Sequence, residues 1–320
     1  MKKTTKLLFL LTFPEAVRNQ YIHGVKAAFP DVEVNAVDHH SKVGPYIAEA
    51  EVLATFGPMM VDRVLADAPR LRWVQALGTG VDNLADLPSF RPGTILTNLH
   101  GIHGESMSEA TLMLMLSLAR GMPRMLRNQM QQRWERFPAR ILRGKTVGIF
   151  GVGAIAATLA PLCKALGMRT VGISASPRAV AGFDVMRDKE QLIDSVRELD
   201  YFVLLTPYSA ATHHVINAEV LAAMKPDAFL INLARGGVVD EAALLAVLQA
   251  RRIAGAALDV FSQEPLPAES PFWGMDNVLI TPHQGGFNDE YPQRALPVIN
   301  HNLQCFLDGK LAAMQNLVRC

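Results

Sequence analysis

Short β-branched or apolar runs alternate with stretches of helical periodicity through most of the chain, a pattern that predicts parallel sheets joined by crossover helices. Two series of such runs are present. The first predicts strands at residues 7–11, 32–37, 52–56, 73–76 and 94–97, with helices at 14–29 and 58–66 between them. From about residue 104 to 133 the pattern is helical throughout, which predicts one long helix carrying the chain into a second domain. Its apolar stretch at 110–122 is far shorter than the ~20 residues a membrane crossing needs, so it reads as a buried helix with Met113 and Met115 as core filler. The second series predicts strands at 146–150, 170–174, 201–205, 228–232, 255–258 and 278–281, six in all, the number in a complete dinucleotide-binding sheet. Beyond Pro282 the pattern predicts no further strand and a helix at 289–308 that returns to the first domain. The expected class is α/β: two doubly wound parallel-sheet domains, one discontinuous (1–99 and 283–320), the other inserted in it (100–282).

At 320 residues the chain exceeds what a single core usually supports, in keeping with two domains. With half its residues hydrophobic and 19% charged, it has the composition of a globular protein and not of a disordered one. The balance of 31 basic against 30 acidic residues leaves no electrostatic footprint for nucleic acid or an anionic membrane, so neither is an expected partner. Any anionic ligand must be held locally. Cys163, Cys305 and Cys320 are too few and too scattered for a disulfide framework, which implies a reducing, cytoplasmic setting. The opening MKKTTKLLFLLTF has the outline of a short signal peptide, but Pro14 and Glu15 follow where small cleavage-site residues belong, so a buried first strand is expected.

The sequence Gly151-Val-Gly153-Ala154-Ile155-Ala156 follows an expected strand and opens a helical pattern that runs to Leu166. A glycine triplet alone is a weak signal, and an ordinary strand turn would also produce it. Strand, turn, helix and a six-strand series together point to dinucleotide binding. Gly151 permits the tight turn, Gly153 lets backbone N–H groups approach a pyrophosphate, and Ala156 allows close helix packing. Ala154 and Ile155 begin the helix, whose positive end supplies the charge that lysines would otherwise have to provide. The inserted domain is thus expected to be of Rossmann type and the other flavodoxin-like. A carboxylate at the end of the next strand would accept from the adenosine ribose 2′-hydroxyl, but Ser174 stands there, followed by Ser176 and Arg178. Two hydroxyls beside a guanidinium suit a 2′-phosphate, so NADP is favoured over NAD, unless these residues form only a solvated loop.

Three later segments each place a polar residue just beyond a predicted strand, where an open parallel sheet binds its ligands. They are Ala234-Arg235-Gly-Gly, Asp259-Val-Phe-Ser-Gln-Glu264-Pro265 and Thr281-Pro-His283-Gln-Gly285-Gly286. Singly, Arg235 and Glu264 would be solvated charges and His283 a structural histidine. Together and in this order they resemble the D-isomer-specific 2-hydroxyacid dehydrogenase family, which includes glyoxylate/hydroxypyruvate reductases and phosphoglycerate dehydrogenases. The resemblance covers about residues 78–286 and includes Gly78-Thr79-Gly80 and Thr206-Pro207. It implies that Arg235 binds the substrate carboxylate and carbonyl oxygen, that His283 is the acid/base and that Glu264 orients it. By the same resemblance Leu77, Gly78, Thr79 and Gly80 approach the substrate carboxylate, while Thr206, Pro207, Ala234, Asp259 and Gly285 lie on the cofactor side. A homodimer formed largely through the cofactor domain is also implied.

The chemistry asks for these residue types independently. Hydride delivery to a ketone builds negative charge on oxygen, which a fixed guanidinium stabilises while orienting a carboxylate. An imidazole can give a proton in reduction and take one in oxidation, and a carboxylate behind it fixes the tautomer and favours the charged ring.

Other residues are assigned more ordinary roles. His100 and His103 stand where the family commonly has Pro and Asn. No carboxylate or cysteine is spaced to complete a metal site with them, so packing, hinge hydrogen bonding or pocket lining is expected and no metal. The pairs His39-His40 and His213-His214 are expected at the surface without sharing a face. Trp134 lies in a segment that in related reductases reaches a neighbouring subunit, although packing would account for it equally. The pocket loops are expected near Tyr46, Leu77, His100 and Phe287. No segment long enough for a regulatory domain follows the last helix, so simple kinetics are expected. Two other functions fit the motifs: phosphite or formate oxidation on the same fold, against which formate dehydrogenases' Gln in place of Glu264 argues, and a non-catalytic nicotinamide-sensing protein of the corepressor kind.

Overall fold

Both series of apolar runs become strands, and the computed structural model describes residues 4–319. Among these residues the strands are β1 (Lys6–Leu10), β2 (Glu33–Val37), β3 (Val52–Thr55), β4 (Trp73–Ala76), β5 (Ile95–Thr97), β6 (Thr146–Phe150), β7 (Arg169–Ser174), β8 (Val185–Asp188), β9 (Tyr201–Leu204), β10 (Phe229–Asn232), β11 (Gly255–Leu258), β12 (Val278–Ile280) and β13 (Leu317–Arg319). The chain divides into two units, one formed up to Ile102 and again from Asp289, the other spanning His103–Asn288. These boundaries fall a few residues later than 99/100 and 282/283, because the segment after Pro282 is hydrogen-bonded to Asp259 and stays with the second unit.

The first unit holds a sheet in the order β13-β5-β4-β3-β1-β2, parallel except for the β13–β5 pair. Strand residues such as Phe9, Ala54 and Trp73 are fully buried, the continuous apolar character of a parallel sheet covered on both faces. Glu15–Ala28 and Tyr291–Leu307 cover it, and Tyr21, Val25, Ala295 and Ile299 join one core. A buried polar chain ties the C-terminal segment to this sheet. Trp73 donates to Thr97, Thr97 to Gln75 (both 2.8 Å) and Asn302 to Gln75 (3.2 Å), while Asn302 accepts from the Gln315 N–H (2.7 Å). Each member has a partner, so burial of the network stabilises one docking of that segment.

The second unit holds the sheet β12-β11-β10-β9-β6-β7-β8, all parallel, with the order reversing between β6 and β9. That reversal is the switch point at which doubly wound sheets bind ligands. The helices Gly104–Arg120 and Ala154–Ala165 pack in one cluster with Val147, Ile149 and Ile231. Cys163 sits in this core, where burial pushes its thiol up to about 12; Cys305 is also buried and free, and Cys320 lies outside the described residues.

Several expectations are corrected. The second sheet has seven strands, because Val-Met-Arg-Asp of β8 is a half-buried edge strand with no apolar run to announce it. A strand does follow Pro282: β13 is three residues long and pairs antiparallel with β5. The helix expected at 104–133 breaks at Gly121, which adopts a left-handed φ of 69°, and resumes as Met122–Met130 with Pro123 in its first turn. The helix expected at 58–66 is a 3₁₀ turn at Gly57–Met59 and a short helix at Asp62–Ala66, separated by extended Met60 and Val61. Met115 is core, but Met113 is half exposed. The histidine pairs do bring their rings together, at 4.0 Å between centroids for His39–His40 and 3.9 Å for His213–His214; His39 is extended and His214 has a positive φ.

Candidate active site

The glycine turn has the shape its sequence calls for. Gly151 has φ +99°, and a Cβ there would lie 2.4 Å from the Thr206 backbone nitrogen, so only glycine lets the end of β6 meet the segment after β9. A Cβ on Gly153 would meet nothing, leaving open space at the N-terminus of the Ala154–Ala165 helix. That free cradle, with backbone N–H groups at its floor and Ala156 buried behind it, fits a dinucleotide pyrophosphate. Ala154 is exposed and Ile155 half-buried at its rim, Thr206 is buried beside Gly151, and Pro207 is exposed.

Ser174 ends β7, and its hydroxyl accepts from the Ser176 N–H (3.2 Å); Ser176 and Arg178 are exposed. The nearest carboxylates in sequence are engaged elsewhere. Asp184 accepts from Lys164, from the Thr170 N–H and from the Thr170 hydroxyl, which hold it at about 2, and Asp188, in register with Ser174 on β8, accepts from the Glu190 N–H (3.0 Å).

Arg235 follows β10. Asn232 folds the connection by accepting from the Ala234 N–H (3.0 Å) and donating to the Arg235 carbonyl (3.1 Å). Arg235 itself is extended, and its guanidinium donates to the Ala234 carbonyl (2.7 Å). At Gly236 a Cβ would lie 1.9 Å from the Phe261 carbonyl carbon, so the residue after Arg235 is pressed against the segment that carries Glu264. Glu264 Oε1 accepts from the Phe261 N–H (2.9 Å), and Oε2 meets His283 Nδ1 at 2.6 Å. Burial alone pushes the Glu264 carboxyl up. The His283 hydrogen bond, the Phe261 N–H and the charges of His283 and Arg235 outweigh it and hold the carboxyl below its ordinary range.

His283 is placed by Asp259. The Asp259 carbonyl accepts the His283 N–H (2.8 Å), and its buried carboxylate accepts from the Thr281 hydroxyl and the Gln284 and Gly285 N–H groups (both 2.9 Å). These bonds hold the segment while His283 takes a φ of +53°. Asp259 is thereby tied to this loop through both side-chain oxygens, and Gly285 is buried against it. The His283 and Glu264 side chains remain 38% and 26% exposed, accessible to a small ligand.

In the first unit, Gly78, Thr79 and Gly80 form the turn after β4 and are at least partly exposed, whereas the Leu77 side chain is fully buried in the core. His100 is exposed. His103 is buried in the second unit, where a Cβ on Gly286 would meet its ring at 3.2 Å. Among the described residues no group of three or more His, Cys, Asp or Glu could hold a metal ion, and no helix is long and apolar enough to cross a membrane. Sequence reasoning passed over Asn232, the Phe261 N–H and Tyr208, whose hydroxyl lies 3.0 Å from His213 Nδ1 and whose ring abuts Gly237. Only the proximity of Tyr208 to Thr206-Pro207 could have signalled it.

The chain is similar to known proteins over most of its length. Residues 112–285 match the family signature described as "D-isomer specific 2-hydroxyacid dehydrogenase, NAD binding domain". The chain is 31% identical to the glyoxylate reductase of Aeropyrum pernix, with 97% of this chain and 95% of that protein covered. It is 35% identical to the D-3-phosphoglycerate dehydrogenase of Methanocaldococcus jannaschii over 83% of this chain, which spans about half (51%) of that longer protein. Among solved structures, a D-isomer specific 2-hydroxyacid dehydrogenase family protein from Aeromonas salmonicida superposes with a TM-score of 0.88 at 34% identity, covering 99% of both chains. An NADPH-dependent glyoxylate/hydroxypyruvate reductase from Sinorhizobium meliloti, solved with NADP and sulfate, superposes at 0.83 with 26% identity and 98% coverage of both. The chain belongs to the D-isomer-specific 2-hydroxyacid dehydrogenase family and is an NAD(P)-dependent oxidoreductase.

Proposed function

We propose that the protein reduces a small 2-keto acid of the glyoxylate or hydroxypyruvate kind to the 2-hydroxy acid, the D isomer where C2 becomes a stereocentre, with NADPH preferred over NADH. The observation that carries this reading is the Glu264–His283 hydrogen bond, with the Arg235 charge acting on the same carboxylate. Bound at the Gly151–Ile155 cradle, the nicotinamide dinucleotide supplies the hydride. Arg235 binds the carboxylate and carbonyl oxygen of the substrate and stabilises the charge that develops on that oxygen. His283 gives it a proton from the ring nitrogen opposite Nδ1, and Glu264 holds Nδ1 and favours the charged ring. The Gly78–Gly80 turn receives the carboxylate through backbone N–H groups. Thr206, Pro207, Ala234 and Gly285 border the nicotinamide side, and Asp259 acts chiefly by fixing the His283 segment.

The preference for NADPH rests on Ser174, Ser176 and Arg178 and on the engagement of Asp184 and Asp188 by other partners. The names of the A. pernix and S. meliloti relatives favour the glyoxylate-type substrate. A cytoplasmic homodimer is part of the same reading. Its support is the exposure of Met113, Leu116, Leu126, Met130 and Trp134 on the second unit, an apolar content that monomers seldom leave open to water. The test is a turnover assay with NADPH and NADH separately against glyoxylate, hydroxypyruvate, pyruvate, phenylpyruvate and 3-phosphohydroxypyruvate. Fastest oxidation of NADPH by the first two is expected; no oxidation of either cofactor by any of the five would overturn the reading.

A further inference from the structure

Resting on the reading that the Gly78–Gly80 turn receives the substrate carboxylate, we propose that Tyr291 is a positioning residue for that turn. Its hydroxyl holds the Leu77 carbonyl and thereby presents the Gly78 N–H to the carboxylate.

Tyr291 opens the Tyr291–Leu307 helix and is almost completely buried, with its ring 6.0 Å from that of Phe56. Its hydroxyl donates to the Leu77 carbonyl. Burial raises the phenol far above its ordinary range, so the group stays a donor at any working pH. The Leu77–Gly78 peptide is trans, and in a planar trans peptide the C=O and the following N–H point in opposite directions. Fixing one therefore aims the other. The next two carbonyls are fixed in the same manner: that of Gly78 accepts from the Leu99 N–H (3.0 Å) and that of Thr79 from Asn98 Nδ2 (2.8 Å). Each of three successive peptides is thus oriented by a donor from the body of the unit, and each following N–H is directed away from that donor. Backbone N–H groups of a turn can bind an anion without a charged side chain, and that of Gly78 is the first of this turn. Of the three donors, Tyr291 is the one supplied by a distant side chain, 214 residues along the chain from Leu77.

The same core supplies a contrast. Tyr21 is equally buried, but its hydroxyl has no hydrogen-bond partner among the described residues. Loss of that oxygen should leave the turn untouched, which makes Tyr21→Phe a matched control for Tyr291→Phe.

The experiment measures KM for glyoxylate, KM for NADPH, kcat and the inhibition constant of oxalate in the full-length wild type and in Tyr291→Phe, Tyr21→Phe and Asn98→Ala. Tyr291→Phe is expected to raise glyoxylate KM and the oxalate constant about tenfold, the scale of one well-placed hydrogen bond, with NADPH KM and kcat within about twofold. Asn98→Ala alters the adjoining peptide from a half-exposed position; it is expected to move the same two constants in the same direction and serves if the core variant does not fold. Tyr21→Phe should change neither. Unchanged glyoxylate KM and oxalate constant in folded Tyr291→Phe, equal changes in Tyr21→Phe, or, where Tyr291→Phe does not fold, no change in Asn98→Ala overturns this inference while leaving the reductase reading intact. A wild-type protein that reduces no 2-keto acid overturns both.

Discussion

The loops that follow β10, β11 and β12 differ sharply from the loop that follows β7. In the former, side chains and backbone are bound at almost every step: Asn232 folds the approach to Arg235, the Phe261 N–H and His283 occupy the Glu264 carboxylate, and Asp259 ties down residues 281–285. In the latter, Ser174, Ser176 and Arg178 are mostly exposed, and a single bond from the Ser176 N–H to the Ser174 hydroxyl organises the turn. A group that must meet a developing charge in one geometry has to be held before substrate arrives. A group that recognises a solvated phosphate at the rim of a cofactor can be flexible and is easily exchanged. On the proposed assignment, the chemistry is built into the scaffold and the choice of cofactor sits on its surface.

The contrast predicts a graded set of effects. The largest belongs to Arg235→Lys, which keeps the charge but loses the planar fork; kcat/KM for the keto acid is expected to fall by about 10²–10³ in steady-state assays. Near-normal kcat/KM would remove Arg235 from the chemistry. Asp259→Asn comes next, because an amide oxygen and an NH₂ group cannot accept all three donors of the 281–285 segment. Thermal melting should reveal a loss of about 1–3 kcal/mol, and kcat should fall with unchanged NADPH KM. If kcat survived, the His283 segment would be less dependent on its anchor than the geometry indicates.

Glu264→Gln probes pH. With the carboxyl held below its ordinary range, the stability it adds is fully present above the unfolded-state value of about 4.3 and is lost as pH falls through the lower folded value. Above that window the wild type keeps an anion against His283. The amide does not, so the melting temperature of Glu264→Gln should lie below that of the wild type above that window and converge with it below. Equal melting temperatures above the window would deny Glu264 its part. The smallest effect is expected at the surface loop: Arg178→Ala should raise NADPH KM by roughly tenfold or less and leave NADH KM and kcat unchanged. Equal effects on both cofactors would shift the basis of phosphate recognition elsewhere.

Much of this was legible in the chain because buried parallel strands read as continuous apolar runs; β6 and β11 lie where the pattern placed them. The glycine turn and the three polar residues stood out through their position after strands. What stayed hidden has physical reasons. Edge strand β8 carries Arg187 and Asp188 and buries no continuous apolar face, and β13 is too short to show a period. The bonds that fix Asp259, Asn232 and Tyr291 join residues that local periodicity cannot connect. Tyr291 lies within the helix expected at 289–308, and its bond to Leu77, 214 residues away, leaves no local signal.

The most direct test of the central claim is isotopic. NADPH carrying deuterium at the transferable position of the nicotinamide is incubated with the protein and glyoxylate, and the product is analysed by mass spectrometry. Glycolate with the deuterium on C2, formed by the wild type and lost in His283→Ala, is the predicted result. Deuterium released to solvent, or equal transfer in the histidine variant, would contradict the account.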